Sequence, residues 1–148
     1  MAKLLVVDDE PAIRLLMQAI LSQEGHDVET AADGVEALWL VERELPDVIL
    51  LDLAMPNMDG WRFLEELRNR DLRHKVRVII VSAMADPEAV ERGQAAGVIE
   101  HVAKPFDADA IVRAVEGVLQ DSPEEALARR AHPEDLARLI DKLSTLDQ

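Results

Sequence analysis

The sequence predicts an α/β fold: a doubly wound, five-stranded parallel sheet with helices on both faces, followed by a C-terminal helical extension. Three observations carry this reading. Apolar runs of strand length recur five times with helical patterns between them. Several of these runs are apolar at successive positions rather than alternating, as strands covered on both faces require. Cap and turn residues punctuate the junctions, so the alternation is regular and the connections are short. The length agrees, since 148 residues suffice for one domain with a real core and leave too few for a catalytic or DNA-binding domain beside it.

The first strand is K-L-L-V-V at 3–7. Pro11 suits the first turn of the next helix, where its missing N–H is not needed, and Gly25 suits that helix's exit. D-V-E-T, about 27–30, is the second strand, and Asp33 is a candidate N-cap for the second helix. D-V-I-L-L at 47–51 is the third strand, with Asp59 as the next cap. V-R-V-I-I-V at 76–81 is the fourth, followed by Asp86 as cap and Pro87 at the first helical position. V-I-E-H-V-A at 98–103 is the fifth, with Asp107 capping a helix that fades near Gln120. Trp61 and Phe63 are expected to pack at the start of the third helix, and Trp39 to be partly exposed on the second.

Asp121-Ser122-Pro123 reads as a break, which divides the chain into a main domain, 1–120, and a tail, 121–148. Two helical stretches are expected in the tail, about 124–131 and 134–146, with Pro133 opening the second. Leu136, Leu139, Ile140, Leu143 and Leu146 form one apolar stripe at helical spacing. Such a stripe docks on its own domain, pairs two chains as a homodimer, or leads into a further domain. Docking or dimerisation is favoured, because an isolated helix of this length is marginal in water.

Composition narrows the function. Sixteen Lys and Arg against 30 Asp and Glu give a formal charge of −14, so nucleic acid and anionic membranes are repelled rather than gathered, and no direct nucleic-acid binding is expected. Aromatics at 3% are too sparse for a base-stacking platform. The absence of cysteine rules out disulfides, thiolate zinc and a thiol nucleophile, and histidines 26, 74, 101 and 132 lack metal-ligand spacing. The N-terminal apolar run meets Asp8, Asp9 and Glu10 too soon for a signal peptide, and no later run approaches membrane length. A cytoplasmic chain with no membrane insertion is expected.

Doubly wound sheets carry their sites beyond the carboxyl ends of the strands. The residues there are Asp8 and Asp9 after the first strand, Asp52 after the third, Ser82 after the fourth and Lys104 after the fifth. The first, third and fourth strands are central in such a sheet, so three carboxylates converge in one shallow cleft. At roughly 4 Å and an effective dielectric of about 20, each carboxylate pair repels by about 4 kcal/mol, which a divalent, oxygen-seeking ion such as Mg2+ offsets. Pro105 after Lys104 can support a cis bond, one way to aim the lysine back across the cleft.

The segments L-L-V-V-D-D-E-P at 4–11, L-L-D-L-A-M-P-N-M-D-G at 50–60, V-S-A at 81–83 and K-P-F at 104–106 resemble the receiver domain of bacterial two-component response regulators, of the chemotaxis-type single-domain kind. The likeness covers about residues 2–120 in order and spacing. It implies a flavodoxin-like sheet of order 2-1-3-4-5 and a phosphorylation-activated switch, with Asp52 accepting a phosphoryl group from a sensor histidine kinase or phosphotransfer protein. Asp9 and Asp52 then ligate Mg2+ together with the backbone carbonyl of Ala54, while Asp8 acts mainly through bound water. Ser82 hydrogen-bonds the phosphoryl oxygens and Lys104 pairs with the phosphoryl charge. Phosphorylation draws Ser82 inward and re-sets a partner-binding face over about residues 86–117. The chain is then not an enzyme in the usual sense: it catalyses its own phosphorylation and dephosphorylation at Asp52.

The sequence departs from the family at one switch position, three residues before the lysine, where His101 replaces the usual Tyr or Phe. An imidazole can reach toward the Ser82 hydroxyl and adds sensitivity to pH; a solvated strand histidine is the bland alternative. Ala54 and Met84, two residues past Asp52 and Ser82, cannot orient an attacking water, so slow self-dephosphorylation is expected. Two alternatives stand beside the receiver. One is a haloacid-dehalogenase-type Mg2+ phosphatase, weakened because Asp8 is followed by Asp9 and Glu10 rather than by an Asp-x-Asp pattern. The other is a receiver fragment of a longer regulator, with 121–148 as a linker.

Overall fold

The computed structural model describes residues 2–83, 86–120 and 122. Five parallel strands alternate with five helices: β1 (Lys3–Val7), α1 (Pro11–Gln23), β2 (Asp27–Ala31), α2 (Gly34–Arg43), β3 (Val48–Leu51), α3 (Gly60–Asn69), β4 (Arg77–Ser82), α4 (Pro87–Ala95), β5 (Glu100–Ala103) and α5 (Ala108–Leu119). The sheet order is β2-β1-β3-β4-β5, the expected doubly wound topology. The expected tail helices, their apolar stripe and Met84 lie outside the described residues.

The continuous apolar runs have a direct cause. Leu5, Val7, Ile49, Leu51 and Ile80 point to one side of the sheet, against Ala37, Leu38 and Val41 of α2 and Phe63, Leu64 and Leu67 of α3. Their neighbours Leu4, Val6, Leu50, Ile79 and Val81 point to the other, against Met17 and Leu21 of α1 and Ile111, Val115 and Val118 of α5. Strand side chains alternate sides, so a strand between two helical layers must be apolar at every position. Burying each such Val, Leu or Ile is worth about 1.5–3 kcal/mol. β2 breaks the rule because it is an edge strand, and only Ala31 of its five residues is fully buried.

The caps form as the sequence predicts. Asp33, Asp59, Asp86 and Asp107 accept hydrogen bonds from the backbone N–H of Glu36, Arg62, Ala89 and Ala110, respectively. Pro11 and Pro87 open their helices, and Gly25 beyond α1 has φ +92°, a conformation that suits glycine. Several strand limits differ from the expectation by one or two residues: β2 runs on to Ala31, β3 starts at Val48 and β4 at Arg77. β5 begins at Glu100 rather than at 98: Val98 still belongs to the exit turn of α4, its N–H bonding the Gly93 carbonyl (2.9 Å), and Ile99 enters the sheet by its bond to the Val78 carbonyl (3.0 Å). β4 runs to Ser82, which pairs with Ala103 across the ladder instead of lying past the strand end. Phe63 is fully buried and Trp61 packs against the same core, while Trp39 is 60% exposed.

Candidate functional site

The backbone ladder sets the positions of the polar residues before any side chain contributes. One step beyond β1, the Asp8 N–H bonds the Ala31 carbonyl (3.1 Å); beyond β3, the Asp52 N–H bonds the Val7 carbonyl (2.9 Å). The Lys104 N–H bonds the carbonyl of Ser82 (3.0 Å), so lysine and serine are tied through the main chain. The Lys104–Pro105 peptide is cis.

The side chains converge accordingly. Lys104 Nζ lies 2.7 Å from Asp8 Oδ2, 3.5 Å from Asp52 Oδ2 and 3.7 Å from Glu10 Oε1. Asp8 is wholly buried and Asp52 nearly so, as is Ser82, while Asp9 is exposed. The second oxygen of Asp8 accepts the Glu10 N–H (2.9 Å), and Arg14 donates to the Asp8 carbonyl (2.7 Å). Burial, helped by the neighbouring charge of Asp8 and only partly opposed by Lys104, pushes the Asp52 carboxyl up to about 6. For Lys104 burial acts downward, but the Asp8 hydrogen bond and the charges of Asp52, Asp8 and Glu10 outweigh it and hold the ammonium above its ordinary value.

The site therefore has more negative than positive charge in poor solvent. Asp8, Asp9 and Glu10 bring a carboxylate oxygen each to within 4.8 Å of one another, with Asp52 just past the end of the adjacent strand β3. An all-oxygen donor set suits a hard divalent cation, and the exposed Asp9 leaves room for water ligands. Glu10 and Arg14 were not among the sequence-derived candidates. The signal for Glu10 was the third acid of the D-D-E run; for Arg14 there was none, because its contact is to a backbone carbonyl.

Ala54 is exposed on the loop between β3 and α3. That loop is closed by a hydrogen bond from the Gly60 N–H to the Leu53 carbonyl (2.9 Å), and a Cβ at residue 60 would stand 2.5 Å from the Asp52 carbonyl oxygen. His101 pairs with Ile80, two residues before the Ala103–Ser82 pair, and so shares their side of the sheet. It is half-buried and lines, with Val90 and Gln94 of α4, a cleft of about 220 Å³.

A doubly wound sheet of order 2-1-3-4-5 with clustered acids, a serine and a lysine at its strand ends defines a receiver-type switch. The family model for the response regulator receiver domain matches residues 4–116, and the chain belongs to that family, the phosphorylation-activated switches of two-component systems. It is 38% identical over 117 residues to sporulation initiation phosphotransferase F of Bacillus subtilis, covering 79% of this chain and 93% of that one. It is 32% identical over 138 residues to the phosphate regulon transcriptional regulatory protein PhoB of Rhizobium meliloti, covering 93% and 57%. The solved structure of chemotaxis protein CheY4 of Vibrio cholerae superposes with a TM-score of 0.75 at 34% identity, covering 80% of this chain and 98% of that one. The chain thus spans nearly all of some single-domain relatives and about half of several transcriptional regulators. Receiver domains generally bind Mg2+ at their acidic pocket and interact with histidine kinases or phosphotransfer proteins. Among the described residues, no helix is long and apolar enough to cross a membrane.

Proposed function

We propose that Asp52 is the phosphoacceptor of this receiver, phosphorylated by a sensor histidine kinase or phosphotransfer protein in the cytoplasm. The observation that carries the reading is the Lys104 ammonium shared between Asp8 and Asp52 at the strand ends. One Asp52 oxygen attacks the phosphorus of a phosphohistidine; the new O–P bond forms as the N–P bond breaks, and its electron pair stays on the donor imidazole. No general base is needed, because an ionised carboxylate is the nucleophile. Lys104 is near enough to exchange its contact with Asp52 for one with the incoming phosphoryl oxygens, and the Ser82 hydroxyl offers them a hydrogen bond.

The residues present fit Mg2+. Asp9, Asp52 and the Ala54 carbonyl would hold it, with Asp8 acting through water and Glu10 as a further oxygen donor nearby. When bound, the ion supplies charge neutralisation at the phosphoryl oxygens. The proposal extends to the rest of the chain: residues 1–120 are the receiver, 121–148 an extension or linker, and the face over about 86–117 meets a downstream protein. His101, beside α4 on the side of the sheet that carries Ser82, reports the state of that face. Titration with beryllofluoride and Mg2+, followed by amide NMR, tests the reading. Saturable shifts around Asp52, Ser82 and Lys104 and across 86–117 are expected only when both are present. The same shifts in Asp52→Asn would overturn it.

A further inference from the structure

We propose that Asp33 and Asn57 form a positioning clamp that holds the loop between β3 and α3, and with it the Ala54 carbonyl, in register for metal binding at Asp52. The proposal rests on the site assignment above and adds two residues outside it. Asp33 is the N-cap of α2, and one of its oxygens accepts the Glu36 N–H (2.9 Å). The other oxygen points away from the helix and accepts the side-chain amide of Asn57 (2.8 Å), 24 residues downstream. One carboxylate thus joins the start of α2 to the loop that follows the phosphoacceptor.

The surrounding geometry requires these residue types. Asn57 has φ +66°, in the left-handed region that asparagine tolerates better than most residues. Glycine would suit the backbone there but carries no amide. At the next residue the Met58 carbonyl accepts the Gly34 N–H (3.3 Å), and a Cβ on residue 34 would stand 2.8 Å from both that carbonyl oxygen and Met58 Cγ. The two loops therefore touch only because residue 34 has no side chain. The cap turn is itself fixed, since Glu36 reaches back to the Ala32 N–H (3.0 Å). Asp33 keeps its charge, because the Glu36 N–H and the Asn57 amide hold its carboxyl below the ordinary value.

With the Gly60–Leu53 hydrogen bond at its base, the loop is fastened at residues 53, 57, 58 and 60. Among the described residues none of these ties is made by Ala54, which is exposed. The direction of its carbonyl is inherited from the anchors on either side. Asp33 and Asn57 are positioning residues in this scheme, and neither touches the reacting atoms.

A polarity swap tests the clamp apart from the cap. Asn is as good an N-cap as Asp, so Asp33→Asn preserves α2, and the Asn57 amide can turn its own oxygen toward the new NH2, which makes this the near-neutral arm. Asn57→Asp sets carboxylate against carboxylate. The double variant Asp33→Asn/Asn57→Asp restores one donor facing one acceptor at unchanged net charge. Mg2+ affinity by calorimetry and amide hydrogen exchange of residues 53–58 in metal-free protein are the readouts. Asn57→Asp is expected to weaken Mg2+ binding about tenfold, the low end for outer-shell partners, and to speed exchange in the loop; Asp33→Asn should stay within about twofold of wild type, and the double variant should recover both readouts to within about twofold. Wild-type affinity and loop exchange in Asn57→Asp, or no recovery in the double variant, would overturn the clamp. A wild-type chain that binds no Mg2+ would overturn the site assignment instead, and the two failures are distinguishable because loop exchange responds to the swap without metal.

Discussion

Replacing Asp52 with asparagine removes a charge that the folded, metal-free chain holds at a cost. The carboxyl is 5% exposed, and burial together with Asp8 raises it from 3.8 to about 6. A raised acid binds its proton more tightly in the folded than in the unfolded chain. Its contribution to stability is therefore fully present below the unfolded value and is lost as pH rises through the folded one. At about 1.4 kcal/mol per pH unit, the rise corresponds to a penalty of about 3 kcal/mol at neutral pH. Roughly half of that penalty develops between pH 5 and 7.5, a range lying above the sequence pI of about 4.6. Urea unfolding of wild type and Asp52→Asn with a chelator present, at several pH values in that range, measures it. The variant should be the more stable at pH 7.5, with the gap narrowing by about 1.5 kcal/mol toward pH 5. Because all other carboxylates are common to both proteins, parallel stability curves would refute the claim that Asp52 is buried among uncompensated charge.

Lys104→Ala should destabilise the metal-free chain by about 3 kcal/mol, because the wholly buried Asp8 loses its ion pair; chemical denaturation reads this, and an unchanged midpoint would contradict it. Gly60→Ala should cost about 1–3 kcal/mol and slow phosphorylation, since the new methyl meets the Asp52 carbonyl oxygen and the Leu53 backbone; thermal melts and labelling rates check both. The His101 ring resonances should differ with and without beryllofluoride, because the half-buried ring lines the cleft beside α4 on the side of the sheet that carries Ser82. Identical ring environments in the two states would show that the switch runs without this side chain.

Features governed by local rules were legible in the sequence. Each of the caps Asp33, Asp59, Asp86 and Asp107 needs only a short polar side chain three residues ahead of a free N–H, so all four could be read from spacing. The strand cores were legible because burial on both sides leaves no alternative to continuous apolar runs. At the site, Asp8, Asp52, Ser82 and Lys104 could be placed together because the parallel ladder aligns strand ends automatically. What escaped depends on contacts between distant segments. The Asp33–Asn57 hydrogen bond joins residues whose neighbourhood exists only after β1, β2 and β3 have paired. Glu10 continues the local acidic run and stays exposed, and its part in the site shows only when Lys104, 94 residues away, comes within 3.7 Å of it. The late start of β5 reflects the exit turn of α4, which still holds Val98 through the Gly93 carbonyl.

The assignment of Asp52 is tested most directly by phosphorylation itself. Incubating the wild-type chain with acetyl phosphate and Mg2+, then measuring intact mass and mapping the labelled peptide after borohydride reduction, reads both stoichiometry and position. A single phosphoryl group per chain is expected, located on Asp52, lost when Mg2+ is chelated or Asp9→Ala is used, and absent from Asp52→Asn. A phosphoryl group that persists in Asp52→Asn, or sustained turnover of the phosphate donor with no retained label, would contradict the account.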